Sequence, residues 1–379
     1  MRVFLSCLVC RIVTFVLHKL GRGATSMPGK VALKVKRNVL KDLSKNTKVI
    51  VVTGTNGKTT SCRILEEGLK KAGKSYFINK SGANLITGVT ASFIMNSTVT
   101  GKCKKDYAII ECDENAFKEV SRYIHCDVIL VTNVFRDQLD RYGEVTHTLN
   151  AIKESVKNLP NAIVCLDADC SLTYSMSKEI PNKIITFGVN VPFDKNAKAP
   201  EISDAKYCIF CKHEYDYTYH TYGHLGGFVC NNCGYKRPQP DFAVESVEEM
   251  KNDHSVVVAN LNGDKNIIKV NIGGAYNIYN AIGCAAALTA LGIEQKIIID
   301  AIENFNGAFG RMEHFKAGNN TVNLILVKNP AGFSQTMNFL KSIDDDFTLI
   351  LSLNDNAADG RDISWIWDVD FERLCQMDN

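Results

Sequence analysis

The segment Gly54-Thr55-Asn56-Gly57-Lys58-Thr59-Thr60 lies between an apolar run starting at Lys48 and a helix-patterned stretch. Gly54 and Gly57 allow the backbone to curl so that its N–H groups converge on an anion. Lys58 adds a point charge for the outer phosphates, Thr59 a hydroxyl for Mg²⁺, and the helix opening at Thr60 the positive end of its dipole. The usual P-loop has four residues between its first glycine and the Gly-Lys pair; this loop has two. The bland alternative is a glycine turn with an incidental lysine. A strand before it, Lys-Thr-Thr at the turn and an amphipathic helix after it favour phosphate.

Bound Mg·nucleotide also needs carboxylates at strand tips. Tyr107–Ile110 reads as an apolar strand and runs into Glu111, Asp113 and Glu114. In a parallel sheet that end is the ligand edge, so Glu111 is expected beside Thr59. The alternative is a solvated acidic cluster. "TNVFRDQLDRYGE" repeats the layout, with Asn133 at a strand end and Asp137 and Asp140 beyond it.

A second group has metal-ligand spacing. Cys208-x-x-Cys211 and Cys230-x-x-Cys233 enclose 18 residues, within the window of structural Zn²⁺ sites. Four thiolates close a tetrahedron with no open position, so the metal is expected to be structural. His213, His220 and His224 are possible substitute ligands, though surface or packing roles are the plainer reading. Five further cysteines (Cys62, Cys112, Cys126, Cys165, Cys284) sit singly in apolar stretches. They read as buried free thiols of a reducing cytosol.

The elements that must position these residues alternate. A helical stretch with Cys62, Leu65, Leu69 and Ala72 on a single face follows the glycine turn, and helical stretches separate several of the further strand patterns, Tyr107–Ile110, Val128–Thr132, Ala162–Leu166 and Ile184–Phe187. The expected fold is α/β, a doubly wound, largely parallel sheet. The Cys-, Tyr- and His-rich residues 200–240 read as an insert. The pattern resumes at Val256–Leu261, Ile267–Ile272 and an Ala-rich helix Asn277–Leu291. After Asn306-Gly307 a smaller α/β unit is expected: strand Val322–Val327, helix Phe333–Leu340, strand Thr348–Leu353. Two strands cannot cover both their faces, so the sequence is expected to carry only part of that unit.

With 379 residues, 45% hydrophobic, the chain suits two or three domains. A net charge of +3 gives no footprint for nucleic acid. The N-terminus is apolar but split by Arg11 into runs of eight and six residues, too short for a spanning helix of about 20 residues. A helix packed on the protein or lying at a membrane surface is preferred over a signal peptide.

"TGTNGKTT", "TNVFRDQLDRYGE", "GGAYNIYNAIGCAAAL" and "FGRMEHF" together resemble the Mur ligases and folylpolyglutamate synthases. These enzymes activate a carboxylate with ATP as an acyl phosphate and let an amine attack it. The shortened loop is the form this family uses. The resemblance implies that Lys58 and Thr59 hold phosphates and Mg²⁺, that Glu111 ligates Mg²⁺, that Asn280 contacts adenine and that Arg311 reaches the phosphates. Gln138 and Tyr276 stand where the family usually carries His, which implies an amine other than an amino acid.

The four-Cys ribbon, "GRGATSMPGKVALK", "GANLITGVTASF", "VKNPAGF" and "LNDNAADGRDISWIWDVDFE" resemble, more narrowly, the family of Mur-ligase-like subunits of lipid II isoglutaminyl synthase. This implies ATP-dependent amidation of the D-glutamate α-carboxylate of the lipid II stem peptide to D-isoglutamine. Ammonia would come from a glutaminase subunit of the GatD type in a heterodimer. Asp362 would complete that partner's Cys–His pair, though Asp355, Asp359 and Asp368 share the stretch. Trp365, Ile366 and Trp367 are expected as core or as partner interface, with at least one tryptophan in the core. Three parts are expected: an N-terminal helical and connecting segment 1–46, a Mur-ligase-like ATP-binding domain 47–306 with a zinc-ribbon insert at about 205–237, and a partial C-terminal ligase domain 307–379. The expected cofactors are ATP, Mg²⁺ and structural Zn²⁺. The expected place is the cytoplasm, with the inner face of the membrane left open as the place within it, and no nucleic acid is expected as partner. Two rival readings remain: a ligase adding an amino acid and a zinc-ribbon nucleic-acid-binding ATPase.

Overall fold

The computed structural model describes residues 1–21, 26–79, 82–136, 145–193, 204–251, 253–305, 312–318, 320–327, 329–341, 346–354, 364–369 and 371–373. Three helices come first: α1 (Arg2–Lys19), α2 (Met27–Val35) and α3 (Val39–Ser44). Then β1 (Lys48–Thr53), α4 (Lys58–Lys71), β2 (Tyr76–Ile78), α5 (Ile86–Met95), β3 (Tyr107–Glu111), α6 (Glu114–Val120) and β4 (Val128–Val131) follow. Next are α7 (Val145–Lys157), β5 (Ile163–Asp167), α8 (Ser171–Ser175) and β6 (Ile184–Val189). A small hairpin, β7 (Asp216–His220) and β8 (Gly226–Val229), precedes β9 (Phe242–Met250), β10 (Ser255–Leu261) and β11 (Asp264–Val270). Helices α9 (Ala275–Ala290) and α10 (Gln295–Glu303) lead to β12 (Met312–Ala317), β13 (Asn320–Ile325) and α11 (Pro330–Lys341).

One nine-stranded sheet carries the order β11-β10-β9-β6-β5-β4-β1-β3-β2. From β2 to β9 every neighbouring pair is parallel; β9, β10 and β11 are antiparallel. The sequence shows why. Val49–Val52 are apolar without interruption and fully buried, as in a parallel strand covered on both faces. Each such side chain contributes about 1.5–3 kcal/mol of burial. In β10 buried and half-buried residues alternate, as in an antiparallel strand with one wetter face.

Helix α4 buries Ser61, Cys62, Ile64, Leu65, Gly68 and Leu69, carries Lys70 and Lys71 against its negative end, and stops at Gly73. It packs against α9 and α10, and α9 crosses β4, β5, β6 and β9. The five isolated cysteines are buried and free, as expected, and burial pushes their thiols up.

One expectation fails. Thr348–Leu353 forms no strand: no other described strand lies beside it, and Leu349, Ile350, Leu351 and Leu353 are exposed. The C-terminal unit is, among the described residues, an antiparallel β12–β13 hairpin with α11 and short 3-10 turns, because Met312–Ala317 pairs with the strand after it. Trp365 is core, packed with Phe333, Met337 and Val369, whereas Trp367 is 87% exposed.

Candidate nucleotide site and metal centre

Strand β1 sits between β3 and β4, with Val52 level with Glu111 and Thr53 level with Val131. The chain order reverses there, so the loop after β1 opens into the crevice where open α/β sheets bind ligands. Gly57 is the N-cap of α4 at φ +86°, and a Cβ on it would come 2.1 Å from Asn280 Oδ1. Gly54, at φ +118°, leaves no room against Thr132 and Asn133.

The segment after β4 braces the loop. Thr55 N–H donates to the Asn133 carbonyl at 2.9 Å, Asn56 N–H to Asn133 Oδ1 at 3.0 Å, and Thr132 Oγ1 to the Asn56 carbonyl at 2.7 Å. Thr55 Oγ1 donates to the Phe135 carbonyl at 3.1 Å.

Lys58 Nζ donates to the carbonyls of Gly54 (2.5 Å) and Thr55 (3.2 Å) and to Glu114 Oε1 (2.7 Å). The Glu114 side chain is only 4% exposed. Burial raises its carboxyl above the usual range, and Lys58 opposes that rise. Asp113 serves instead as the N-cap of α6, accepting from the N–H groups of Asn115 and Ala116. The sequence offered three neighbouring acids here, and only the fold separates their tasks.

Glu111 lies beside Thr59 as expected, with Thr59 Oγ1 3.0 Å from Glu111 Oε2. Two adjacent ligands of an octahedral Mg²⁺ stand about 3 Å apart, given bonds of about 2.1 Å. A hydroxyl, one carboxylate, phosphate oxygens and waters suit that ion. The tip of β3 is held by Asn79, which donates to the Glu111 carbonyl at 2.9 Å and accepts from its N–H at 2.8 Å. No sequence spacing pointed to Asn79.

Asn280 is 4% exposed, hydrogen-bonds Asn277 at 3.0 Å and lies 3.4 Å from Ser61 Oγ. It therefore packs on the loop's own glycine. Asn329 is equally hidden: its Oδ1 accepts from Gly332 N–H at the start of α11, and its Nδ2 donates to Asn56 Oδ1 at 3.1 Å. Arg136 also links the two parts, pairing with Asp368 at 2.7 Å. Asp137, Gln138, Asp140, Arg311 and Asp362 lie outside the described residues.

The four expected zinc ligands do converge. All four Sγ atoms of Cys208, Cys211, Cys230 and Cys233 lie within 4.8 Å of one another, with Cys208–Cys233 at 3.6 Å and Cys211–Cys230 at 3.4 Å. Tetrahedral Zn–S bonds of about 2.3 Å require sulfurs about 3.8 Å apart, so the set fits. The two Cys-x-x-Cys turns have equivalent bonds: Cys208 N–H to the His213 carbonyl (2.7 Å) and Cys230 N–H to the Tyr235 carbonyl (2.8 Å). The thiols titrate apart. Asn232 and the His213 backbone hold Cys211 down to about 6. Cys233, despite its bond to the Tyr235 backbone, is pushed up to about 12 by burial and the other thiols. Four thiolates so close need a cation to coexist.

None of the three histidines joins this cluster. His224 packs on Phe135 with Nε2 3.3 Å from Cys170 Sγ, and burial lowers it to about 4. His220 stacks on Tyr217. The ribbon is tied down by Arg237, whose Nε is 2.6 Å from Asp169 Oδ1, and by Thr221, which meets Tyr279 Oη at 2.8 Å. Asp169 is fully buried; burial raises its carboxyl, and Arg237 and Tyr279 counter the rise.

Residues 52–233 match the Mur ligase middle domain and residues 326–379 the MurT ligase C-terminal model. The chain is 37% identical, over its full length and 83% of the relative, to the Streptococcus pneumoniae protein named lipid II isoglutaminyl synthase (glutamine-hydrolyzing) subunit MurT. It belongs to the MurT family. The Staphylococcus aureus (strain N315) MurT is 33% identical over 94% of this chain and 79% of its own. The fold is that of the Mur ligases. Acinetobacter baumannii MurF aligns with TM-score 0.63 at 17% identity, over 83% of this chain and 58% of that one. A pseudomurein peptide ligase type C from Methanothermus fervidus aligns with TM-score 0.61 at 25% identity, over 76% and 56%. This MurT-family chain thus spans little more than half of those two solved ligases, but most of its curated relatives. No described helix is long and apolar enough to cross a membrane.

Proposed function

We propose that this chain is the ATP-using subunit of a lipid II isoglutaminyl synthase, acting on the D-glutamate α-carboxylate of the stem peptide at the cytoplasmic face of the membrane. One observation carries the chemistry: a phosphate loop at the sheet's switch point with Thr59 and Glu111 3.0 Å apart. The family membership supports the substrate.

In this reading a substrate carboxylate oxygen attacks the γ-phosphorus of ATP, and ADP leaves with the bridging oxygen. Ammonia then attacks the acyl phosphate carbon. The C–O bond to phosphate breaks, inorganic phosphate departs, and nitrogen loses a proton to give the amide. Bound Mg²⁺ would neutralise phosphate charge, with Thr59 and Glu111 as its protein ligands. Gly54–Thr60 wrap the phosphates with backbone N–H groups. Lys58 exchanges its loop carbonyls for phosphate oxygens and keeps Glu114 as its counter-ion. Arg311 adds charge at the phosphates and Asn280 borders the adenine side. Zn²⁺ in the ribbon is structural. A glutaminase subunit of the GatD type supplies ammonia, and Asp362 orients that partner's imidazole.

The test is ATP- and lipid II-dependent product formation with ammonium or amino acids as acceptor. Amide formation with ammonium supports the reading; turnover with amino acids alone overturns it. With the glutaminase subunit present, Asp362→Asn is expected to cut glutamine-driven amidation at least ~100-fold while ammonium-driven amidation stays within about threefold. Equal loss in both assays removes Asp362 from the triad.

A further inference from the structure

Helix α1 is built inside out. Its buried residues are Ser6, Cys7, Cys10 and Thr14, small or polar, with Ser6 Oγ donating to the Ala32 carbonyl at 2.8 Å. Its outward stripe is Phe4 (45% exposed), Leu5 (47%), Ile12 (52%), Phe15 (61%) and Val16 (46%). At 100° per residue these positions fall on one side of the cylinder. Arg11, which would interrupt an apolar face, turns inward, and its guanidinium donates to the Ile94 carbonyl at 2.9 Å and to that of Ser97, capping the end of α5. A helix in water normally presents the opposite arrangement.

The charge around the stripe is one-sided. Residues 1–41 hold nine Lys or Arg and no Asp or Glu. Exposed Arg2 and Lys19 stand at the two ends of α1. On α2, which packs along α1, Lys30 and Lys34 are exposed on the face that also bears Met27 (58% exposed). Apolar side chains flanked by cations match acyl chains beneath anionic headgroups.

We infer that α1 seats the protein on an anionic bilayer surface, lying in the plane of the interface with Phe4, Ile12 and Phe15 entering the acyl boundary and Lys19, Lys30 and Lys34 at the headgroups. The inference deepens the lipid-linked reading, because it sets the chain on the surface that holds such a substrate. It is testable without that substrate, so failure of one is distinguishable from failure of the other.

The experiment is flotation of the full chain with lipid II-free vesicles of phosphatidylcholine alone or mixed with phosphatidylglycerol. The chain is expected to float with the anionic vesicles, at least ~10-fold more weakly with the neutral ones, and to be partly released by salt. Phe4→Asp/Ile12→Asp/Phe15→Asp is expected to lower the partition at least ~10-fold, with the melting temperature held because these side chains are exposed. Lys19→Glu/Lys30→Glu/Lys34→Glu, which leaves the apolar stripe intact, is expected to abolish the preference for phosphatidylglycerol. Absence of wild-type binding to anionic vesicles overturns the inference, and so does equal binding by the aspartate variant. A wild-type dimer in solution that the aspartate variant dissolves also overturns it, assigning the stripe to a second copy.

Discussion

Replacing Lys58 by Met tests the resting state of the phosphate loop as well as its use. Lys58 Nζ lies 2.7 Å from Glu114 Oε1, in a pair whose side chains are 12% and 4% exposed. Removing one partner leaves a hidden carboxylate uncompensated, which costs about 3–5 kcal/mol when burial is complete. With Lys58 partly wetted, about 3 kcal/mol is expected, or about 6–12 °C in melting temperature at 2–4 °C per kcal/mol. The deficit depends on pH. Burial already raises the Glu114 carboxyl, and losing Lys58 raises it further. An acid with a raised folded-state pKa gives stability that is present below its unfolded value and lost as pH rises. The Lys58→Met deficit is therefore smallest near pH 5 and grows towards pH 8. Adding Glu114→Gln removes the stranded charge, so the double variant should regain most of the lost stability while still failing to bind Mg·ATP. Urea unfolding at both pH values, with nucleotide binding alongside, reads every limb of the cycle. A double variant no more stable than Lys58→Met refutes the ion-pair argument, and normal ATP binding by either refutes the loop assignment.

Gly57→Ala adds a Cβ 2.1 Å from Asn280 Oδ1 on a backbone at φ +86°, so ATP affinity should fall at least ~10-fold by titration, with a stability loss of about 1–3 kcal/mol. Cys230→Ser should release zinc, seen as loss of metal by elemental analysis; unchanged zinc content refutes the four-thiolate centre. His224, buried beside Phe135 and lowered to about 4, gives stability present above its unfolded value of 6.5 and lost as pH falls towards 4. Hydrogen-exchange protection around His224, taken relative to the intrinsic exchange rate at each pH, should fall over that window, and His224→Gln should flatten the dependence.

The meeting of the glycine loop with the acidic strand tip was legible because it needs rare residues in a fixed order. Gly54, Gly57, Lys58 and Thr59 follow one apolar strand, and Glu111 ends another. The ribbon was legible because two Cys-x-x-Cys pairs have few other uses. Strand β9 was not, since Glu245, Glu248 and Glu249 break its apolar pattern on the part that runs past β6 and is partly exposed. Thr348–Leu353 had the composition of a strand, yet a strand exists only through a neighbour's hydrogen bonds. Asn79 and Asn329 act through backbone or amide contacts that single asparagines do not advertise. The inversion of α1 was hidden because composition gives the amount of apolar surface and packing decides which way it points.

Helix α9 carries Tyr279 and Asn280 side by side. The first meets Thr221 of the ribbon and Asp169 at 2.5 Å, while the second lies against the glycine that opens α4. Consecutive rungs of one rigid rod thus serve as the seat of the four-cysteine module and the backstop of the Gly54–Thr60 loop. On the proposed reading, in which zinc holds the four thiols, chelating it would slacken that rod where Tyr279 is gripped, one residue from the backstop. A chelator would then act at a distance on the proposed ATP site, although none of the four cysteines is part of the Gly54–Thr60 loop.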